Sequence, residues 1–294
     1  APSRSASSEA TTFIKRRLIE QLERIDDSYP SNLIGYINNA KDLLAKSKSG
    51  VNPLMGWKPS VPQGMNFEIG TTDYETTEKI GVEQLGKCGF VLTAGGLGER
   101  LGYGSIKLKL PTELATETCY LQFYIETILS IQKKYAAPGH KLPLCIMVSG
   151  DTNKKTISLL AKNKNFGMDD DQITIVQQGE GVPALVDNDA HFALDTVDRY
   201  KLQLKPHGHG DIHALIHSNG VAKKWLKDGI KWTVFFQDTN GLAFHTIALA
   251  LGVSSKMGLI MNSVCCPRRA KQAIGGIAKL TNEDGEERTI NVEY

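Results

Sequence analysis

The chain has 294 residues, of which 41% are apolar and 22% charged, a composition typical of a globular protein. The formal net charge of +2, without a dense lysine and arginine tract, gives no reason to expect a nucleic acid or an anionic membrane as partner. No apolar run approaches the length of a membrane span, and the N-terminal residues lack the apolar core of a signal peptide. Five cysteines, without zinc-site spacing, predict reduced thiols. We therefore expect a cytoplasmic protein in which any phosphate-binding site depends on a few nearby residues and not on the overall charge.

Two amphipathic helices are predicted first, because apolar residues recur at helical spacing from Phe13 to Ile25 and from Leu33 to Leu44. The segment 51–70 that follows is rich in proline and glycine, which is typical of a loop. We therefore predict an N-terminal helical region and linker at 1–73 and a main domain at 74–294.

Strands and helices alternate in the main domain. The predicted strands are Gly89–Thr93, Leu142–Ser149, Ile173–Gln177, Lys231–Phe236 and Leu259–Cys265. The predicted helices are Ala115–Tyr135, Thr152–Lys162, Ile212–Lys227 and Leu242–Leu251. Such alternation predicts an α/β fold with a mostly parallel sheet covered on both faces, and ligands bind such sheets beyond the carboxyl ends of the strands.

A glycine-rich loop follows the first of these strands and precedes Lys107 and Lys109. Glycines allow backbone N–H groups to approach a phosphate closely, and a lysine adds a full charge. The spacing of Gly96, Gly98 and Gly102 is not that of the dinucleotide fingerprint, and the Gly-Lys-Ser/Thr of a P-loop does not occur here. The pattern predicts a phosphate site, and a tight turn before a solvated Lys-Leu-Lys strand is the alternative.

Three further polar clusters follow strands or open a helix, and we expect all of them at the same edge of the sheet. They are Gln177-Gln178-Gly179, Pro206-His207-Gly208-His209-Gly210-Asp211 and Gln237-Asp238-Thr239-Asn240. Asp238 is a candidate ligand of a divalent cation, or alternatively a helix cap. The glutamine amides suit a nucleobase edge, and the backbone of Gly208 and Gly210 suits phosphate or base contact. Without a nucleophile elbow, this chemistry favours positioning and charge stabilisation.

These motifs, from Gly89 to the closing Val292-Glu293-Tyr294, resemble in kind and order the uridylyltransferases that make UDP-sugars. The run Ile106-Lys107-Leu108-Lys109-Leu110-Pro111-Thr112-Glu113 and the segment 236–241 look most like the UDP-sugar pyrophosphorylase branch, whose sugar specificity is broad. The resemblance implies a Rossmann-like, glycosyltransferase A-like nucleotidyltransferase sheet with an N-terminal helical cap. It also implies that 74–294 is the nucleotide-binding catalytic domain.

The implied reaction is UTP plus a sugar 1-phosphate giving a UDP-sugar and pyrophosphate, reversibly and with Mg²⁺. Separately from the resemblance, we expect a monomer. The resemblance assigns UTP binding to one set of residues: Ala94, Gly95, Gly96, Gly98, Gln178, Gly179, Gly208 and His209. It assigns the sugar to Gly276, Asn291 and Glu293, and Mg²⁺ to Asp238. The catalytic set is Lys107, Arg100 and Lys109.

Two departures from the family pattern bear on these assignments. Glu99 stands where the family commonly has threonine, which weakens any expectation of a hydroxyl contact to phosphate there. Ile106 stands where proline commonly precedes the lysine, so Lys109 competes with Lys107 for the same role.

The chain also ends within a predicted hairpin, 279–294, and family members are about twice as long, so we expect a piece of a longer protein that could itself be inactive. Two other functions stay open. One is a nucleotide-sugar-binding protein without catalysis. The other is a nicotinamide-dependent oxidoreductase that uses Asp151, although this residue follows the glycine loop by about fifty positions rather than about twenty.

Overall fold

The computed structural model describes residues 4–29, 31–98, 102–179, 181–205 and 208–292. The helices are α1 Arg4–Ser28, α2 Asn32–Lys48, α3 Thr72–Val82, α4 Tyr120–Tyr135, α5 Gly150–Lys162, α6 Asp211–Ser218, α7 Val221–Lys227 and α8 Ile247–Met257. The strands are β1 Lys58–Ser60, β2 Cys88–Thr93, β3 Leu144–Val148, β4 Ile173–Gln177, β5 Val182–Pro183, β6 Leu204–Lys205, β7 Trp232–Gln237, β8 Gly276–Thr281 and β9 Glu287–Val292.

The central sheet contains four parallel strands in the order β4-β3-β2-β7. Every residue of β2 and β3 is buried, as expected for strands covered by helices on both faces. The chain moves outward from β2 to β4 and then returns to β7 on the other side of β2. The order in which strands are added to the sheet therefore reverses between β2 and β7, and sheets of this kind bind ligands at such a position.

Two apolar clusters cover the two faces of this sheet, because side chains alternate along each strand. Phe90 and Leu92 of β2 pack with α4, α5 and α8 on one face. Val91 packs on the opposite face with Trp225 of α7 and with α6. The predicted α/β layering is thus confirmed.

Four of the five predicted strands are confirmed within two residues at their ends. The fifth, Leu259–Cys265, is wrong: the segment is irregular and exposed, and Ile260 is completely accessible. An apolar run forms a strand only where a neighbouring strand binds its N–H and C=O groups. Among the described residues, this segment pairs with no strand.

Three predicted helices begin or divide differently. The helix predicted from Ala115 begins at Tyr120, because the Glu113 carboxylate accepts from the N–H groups of Ala115 and Thr116 and holds a turn. Gly220, at φ 70°, separates α6 from α7. The helix predicted at 242–251 becomes a 3₁₀ turn, Ala243–His245, followed by α8.

The predicted C-terminal hairpin is confirmed by β8 and β9, which pair antiparallel through the turn at 282–286. Strand β1, within the predicted linker, adds to β8 and completes a second, three-stranded sheet, β1-β8-β9. We call it the outer sheet. The division at residue 73 stays a prediction.

The N-terminal helices contact β5 and the segment between β5 and β6. Gln21 of α1 donates to the carbonyl of Leu202 and accepts from its N–H, and Tyr36 of α2 donates to the carbonyl of Pro183. In the described part of the chain, no helix is long and apolar enough to cross a membrane.

Candidate functional site

The site is the polar rim formed where the central strands end. Directly after β2, β4 and β7 come Ala94, Gln178 and Asp238, and the sheet register places these three ends side by side. Since parallel strands share one direction, their carboxyl ends necessarily meet at one edge. The predicted convergence at this rim agrees with the positions of the residues.

The glycine loop presents unpaired backbone donors at the start of the rim. The N–H groups of Gly95 and Gly96 have no acceptor among the described residues. The N–H of Ala94 instead donates to Met147 across the sheet, and its carbonyl accepts from Thr152 of α5. The two glycines therefore offer adjacent donors to an anion or a carbonyl.

Gly98 has a different position in the loop from Gly95 and Gly96. Its N–H donates to the carbonyl of Ser105, and its own carbonyl accepts from the N–H of Tyr103. A Cβ at Gly98 would lie 3.0 Å from atoms of Tyr103, so a glycine fits this turn. The backbone of Gly98 thus closes the loop, and its predicted contact with UTP stays a prediction.

Lys107 and Asp238 form an ion pair across the sheet reversal. The ammonium lies 3.4 Å from Oδ1 and 3.3 Å from Oδ2 of Asp238. It also lies beside the glycine loop, since a Cβ built on Gly96 would be 3.3 Å from it. One mobile cation and one buried carboxylate therefore meet next to the unpaired N–H groups.

Asp238 has only 8% of its side chain exposed. Burial raises the pKa of its carboxyl above the ordinary value, and the charges of Lys107 and His209 partly oppose this effect. A charge held in such a place is costly unless a cation accompanies it. The position suits a carboxylate that binds cations.

Aromatic packing fixes the backbone that carries Asp238. Tyr124 of α4 is fully buried, packs edge to face on Phe236 at 5.0 Å, and donates to the carbonyl of Gln237 at 3.3 Å. Because α4 lies in the main core, the position of the carboxylate is determined by packing.

Gln178 lies across the rim from this pair. Its Nε2 donates to the carbonyl of Gly208 and to the carboxylate of Asp211, which begins α6. Its Oε1 lies next to Gly95, where a built Cβ would be 3.4 Å away. His209 follows Gly208 in the same cluster. These contacts bring together the segments predicted to bind uracil.

Among the described residues, no hydrogen bond or ion pair connects the other assigned residues to this group. Lys109 is exposed, and its ammonium has no carboxylate partner among the described residues. Gly276 and Asn291 lie on neighbouring strands of the outer sheet, one register step apart. Among the described residues, no group forms a hydrogen bond with Gly179, which follows Gln178 in the chain. Glu99, Arg100, His207 and Glu293 lie outside the described residues.

Both structural alternatives to the rim assignments are wrong. The segment Lys107–Lys109 is a 3₁₀ turn with Leu108 buried, rather than a solvated strand. Asp238 does not cap a helix, because α8 begins only after Thr246. Asp151, the residue of the oxidoreductase alternative, is exposed in the first turn of α5.

Sequence reasoning did not assign roles to Asp211 and Tyr124. Asp211 looked like an ordinary acidic residue of a first helical turn, and Tyr124 like one more apolar residue of an amphipathic helix. Both roles depend on contacts with residues at least thirty positions away. A local pattern does not contain that information.

Comparison with known proteins agrees with this geometry. Residues 57–273 match the model of the UTP–glucose-1-phosphate uridylyltransferase family. The chain is 50% identical over 285 residues to proteins named UDP-sugar pyrophosphorylase from Oryza sativa subsp. indica and from Arabidopsis thaliana. The alignment covers 95% of this chain but 46% of each relative, so the chain spans about half the length of these curated relatives.

Solved structures show the same fold at low identity. The uridine diphosphate N-acetylglucosamine pyrophosphorylase of Trypanosoma brucei superposes with a TM-score of 0.72 at 19% identity, over 95% of this chain and 56% of that one. The UDP-glucose pyrophosphorylase of Leishmania major gives 0.64 at 17% identity, over 98% and 57%. Because residues 57–273, most of this chain, match the family model, the chain belongs to the UTP–glucose-1-phosphate uridylyltransferase family.

Proposed function

We propose that the protein is a uridylyltransferase that converts UTP and a monosaccharide 1-phosphate into a UDP-sugar and pyrophosphate, reversibly. The observation that carries this proposal is the meeting of three features at the sheet reversal: unpaired glycine N–H groups, the Lys107–Asp238 pair and the Gln178 amide. Family membership and 50% identity to two proteins named UDP-sugar pyrophosphorylase support it. Broad sugar specificity is part of the proposal.

In this reaction an oxygen of the sugar phosphate attacks the α-phosphorus of UTP, and the bond from that phosphorus to the pyrophosphate oxygen breaks. The rim would bind and orient UTP, with Gly95 and Gly96 donating N–H groups and Gln178 contacting uracil. Lys107 would leave Asp238 and bind the phosphate oxygens, where it stabilises the charge that develops in the transition state. In-line geometry requires positioning more than covalent chemistry.

A divalent cation fits Asp238 because its buried carboxylate is already paired with a positive charge. Mg²⁺ bound to nucleotides typically uses one or two protein carboxylates and completes its shell with water and phosphate oxygens. Asp238 would hold this ion, which supplies charge neutralisation on the triphosphate when bound. Its positive charge would replace the Lys107 ammonium beside the carboxylate.

Gly276 and Asn291 would contact sugar hydroxyls, together with Glu293. For these contacts the outer sheet would have to lie close to the rim when the sugar is bound. A cytoplasmic monomer without a nucleic acid or membrane partner completes the proposal. The low net charge and the absence of an apolar run of membrane-spanning length in the sequence support the part of this proposal that concerns nucleic acids and membranes.

A ligand series measured by thermal unfolding tests the proposed function. We expect UTP with Mg²⁺ to raise the melting temperature of the chain, because a ligand that binds only the folded state stabilises it. NAD⁺, NADP⁺ and GTP are the matched controls, and we expect no comparable shift. A shift with a nicotinamide nucleotide but not with UTP would contradict the proposal.

Catalysis is tested separately, in the full-length gene product supplied with UTP and glucose 1-phosphate. Pyrophosphate release is the expected result. Binding of a UDP-sugar without pyrophosphate release would instead favour a non-catalytic nucleotide-sugar-binding protein.

A further inference from the structure

The orientation of the Gln178 amide is determined by two groups that only accept hydrogen bonds. Nε2 lies 2.9 Å from the carbonyl oxygen of Gly208 and 2.8 Å from Oδ2 of Asp211. A carbonyl and a carboxylate have no proton to donate, so the NH₂ end of the amide must face them. The Oε1 end therefore faces the opposite direction.

That opposite direction is toward the glycine loop. A Cβ built on Gly95 would lie 3.4 Å from Oε1, and Gln178 as a whole is only 7% exposed. Among the described residues, no group donates a hydrogen bond to Oε1. The glutamine thus presents one acceptor beside the N–H of Gly95, and no described residue is hydrogen-bonded to either group.

We infer that Asp211 is a positioning residue for base specificity: by binding Nε2, it makes Gln178 present an oxygen that accepts from a base carrying N–H at position 3. This inference rests on the proposed function and adds to it a residue outside the assigned UTP-binding set. Uracil carries that N–H, whereas cytosine has a lone pair at the same position. The Gly95 N–H can complete the recognition by donating to a carbonyl of the base.

The energetic reason is the cost of an unpaired buried acceptor. With cytosine, Oε1 would face a second acceptor and lose its hydrogen bond, which costs more than the bond gains when it is made. Rotating the amide by 180° would satisfy cytosine but would direct Oε1 at Gly208 and Asp211, two acceptors. Asp211 therefore prevents the rotation that would admit cytosine.

The test compares the dissociation constants of UTP, CTP and inorganic tripolyphosphate, measured by calorimetry on the chain with Mg²⁺ present. In Asp211→Asn the new side chain has the same size and can donate to a rotated Gln178. We expect the ratio of the CTP constant to the UTP constant to fall by about tenfold or more. Tripolyphosphate has no base, so we expect its affinity to stay within twofold of the wild type.

Asp228→Asn is the matched control, since Asp228 is an exposed carboxylate paired with Lys224 at 2.8 Å just after α7. We expect it to keep the wild-type ratio. Asp211→Ala is the second variant, used if the asparagine variant does not fold. It removes the acceptor without adding a donor, and we expect a fall in the ratio of severalfold.

Two results overturn the inference alone: an unchanged ratio in both Asp211 variants, or equal weakening of UTP, CTP and tripolyphosphate, which indicates a merely structural role. A wild-type chain that binds neither UTP nor CTP overturns the proposed function, and the inference with it.

Discussion

The central sheet and the outer sheet place polar groups in opposite ways. In the central sheet β2 and β3 are buried along their whole length, and the rim residues Ala94, Gln178 and Asp238 each come directly after the last residue of a strand. In the outer sheet polar residues lie along exposed strands, where Lys279 pairs with Glu287 and Arg288 stacks on Trp57. The central sheet thus fixes its functional groups through a packed core, whereas the outer sheet depends on contacts between exposed side chains.

This difference predicts where a substitution affects chemistry and where it affects folding. Rim residues such as Lys107 extend from a rigid frame, by which we mean the central sheet and the helices packed on it. Removing a rim side chain should therefore change activity more than stability. Residues within the frame should do the reverse, and residues of the outer sheet should change both only slightly.

The largest expected effect is on catalysis. We expect Lys107→Met to lower kcat/KM of the full-length gene product by about 10²–10³, because a charge aimed at the developing transition state is lost. The melting temperature should also fall, because the buried Asp238 carboxylate loses the cation beside it, but we expect this loss of stability to be small compared with the loss of activity. Steady-state pyrophosphate release measures the effect.

Lys109→Met is the matched control, two residues further along the same 3₁₀ turn. We expect activity close to that of the wild type. A larger loss in Lys109→Met than in Lys107→Met would transfer the catalytic role to Lys109.

The next largest effect is on stability, through the packing of α3 against α8. A Cβ at Gly81 of α3 would lie 1.6 Å from the carbonyl oxygen of Ala248 in α8, so Gly81→Ala must separate the two helices. We expect a loss of about 1–3 kcal/mol in the free energy of unfolding, measured with urea. Gly150→Ala, at an exposed position with no atom within 4 Å of its Cβ, is the control. Equal losses would contradict the tight contact.

The third effect links stability to pH at Asp238. Its carboxyl pKa is raised in the folded state by burial, so folding binds a proton between the ordinary pKa and the raised one. Stability therefore falls as pH rises through that window, and the charged form is unfavourable at pH 7. We expect Asp238→Asn to stabilise the fold by about 1 kcal/mol at pH 7 and to abolish activity.

Below the ordinary pKa the wild-type carboxyl is neutral in both states, so the gain in Asp238→Asn should shrink there. Thermal unfolding at several pH values measures this. A gain that is constant with pH would mean that the charge of Asp238 does not determine the effect.

The smallest effect belongs to the outer sheet. Lys279 and Glu287 lie 2.6 Å apart, but their side chains are 34% and 57% exposed. We expect Lys279→Ala to cost less than about 1 kcal/mol and to leave UTP affinity unchanged. Lys46→Ala, which breaks an exposed helical pair with Asp42, is the control. A weakening of UTP binding in Lys279→Ala alone would show that the outer sheet contributes to the nucleotide site.

The central strands and their shared rim could be predicted from sequence because both follow from local patterns. Apolar runs bounded by glycine and polar residues predict β2, β3, β4 and β7, and parallel order then places the polar ends together. The failure at Leu259–Cys265 has the converse reason: the apolar run is present, but the described chain supplies no neighbouring strand.

Details within the rim depend on contacts between distant segments. Lys107 and Lys109 are the same residue type two positions apart, so the sequence does not distinguish their roles. The geometry of the 3₁₀ turn that contains both places Lys107 beside Asp238. The use of the Gly98 N–H inside its loop and the orientation of the Gln178 amide are likewise tertiary facts. The helix break at Gly220, in contrast, could have been predicted from sequence, since Ser218-Asn219-Gly220 is typical of a turn.

The contacts of the N-terminal helices have a consequence for regulation. The chain leaves the rim after Gln178 and returns to it at Gly208, and these two residues are hydrogen-bonded to each other. Between them in the chain lies Leu202, whose N–H and carbonyl are both hydrogen-bonded to the side chain of Gln21 in α1. Docking of α1 and occupancy of the base subsite therefore involve the same segment of backbone, and any coupling between them must act equally in both directions.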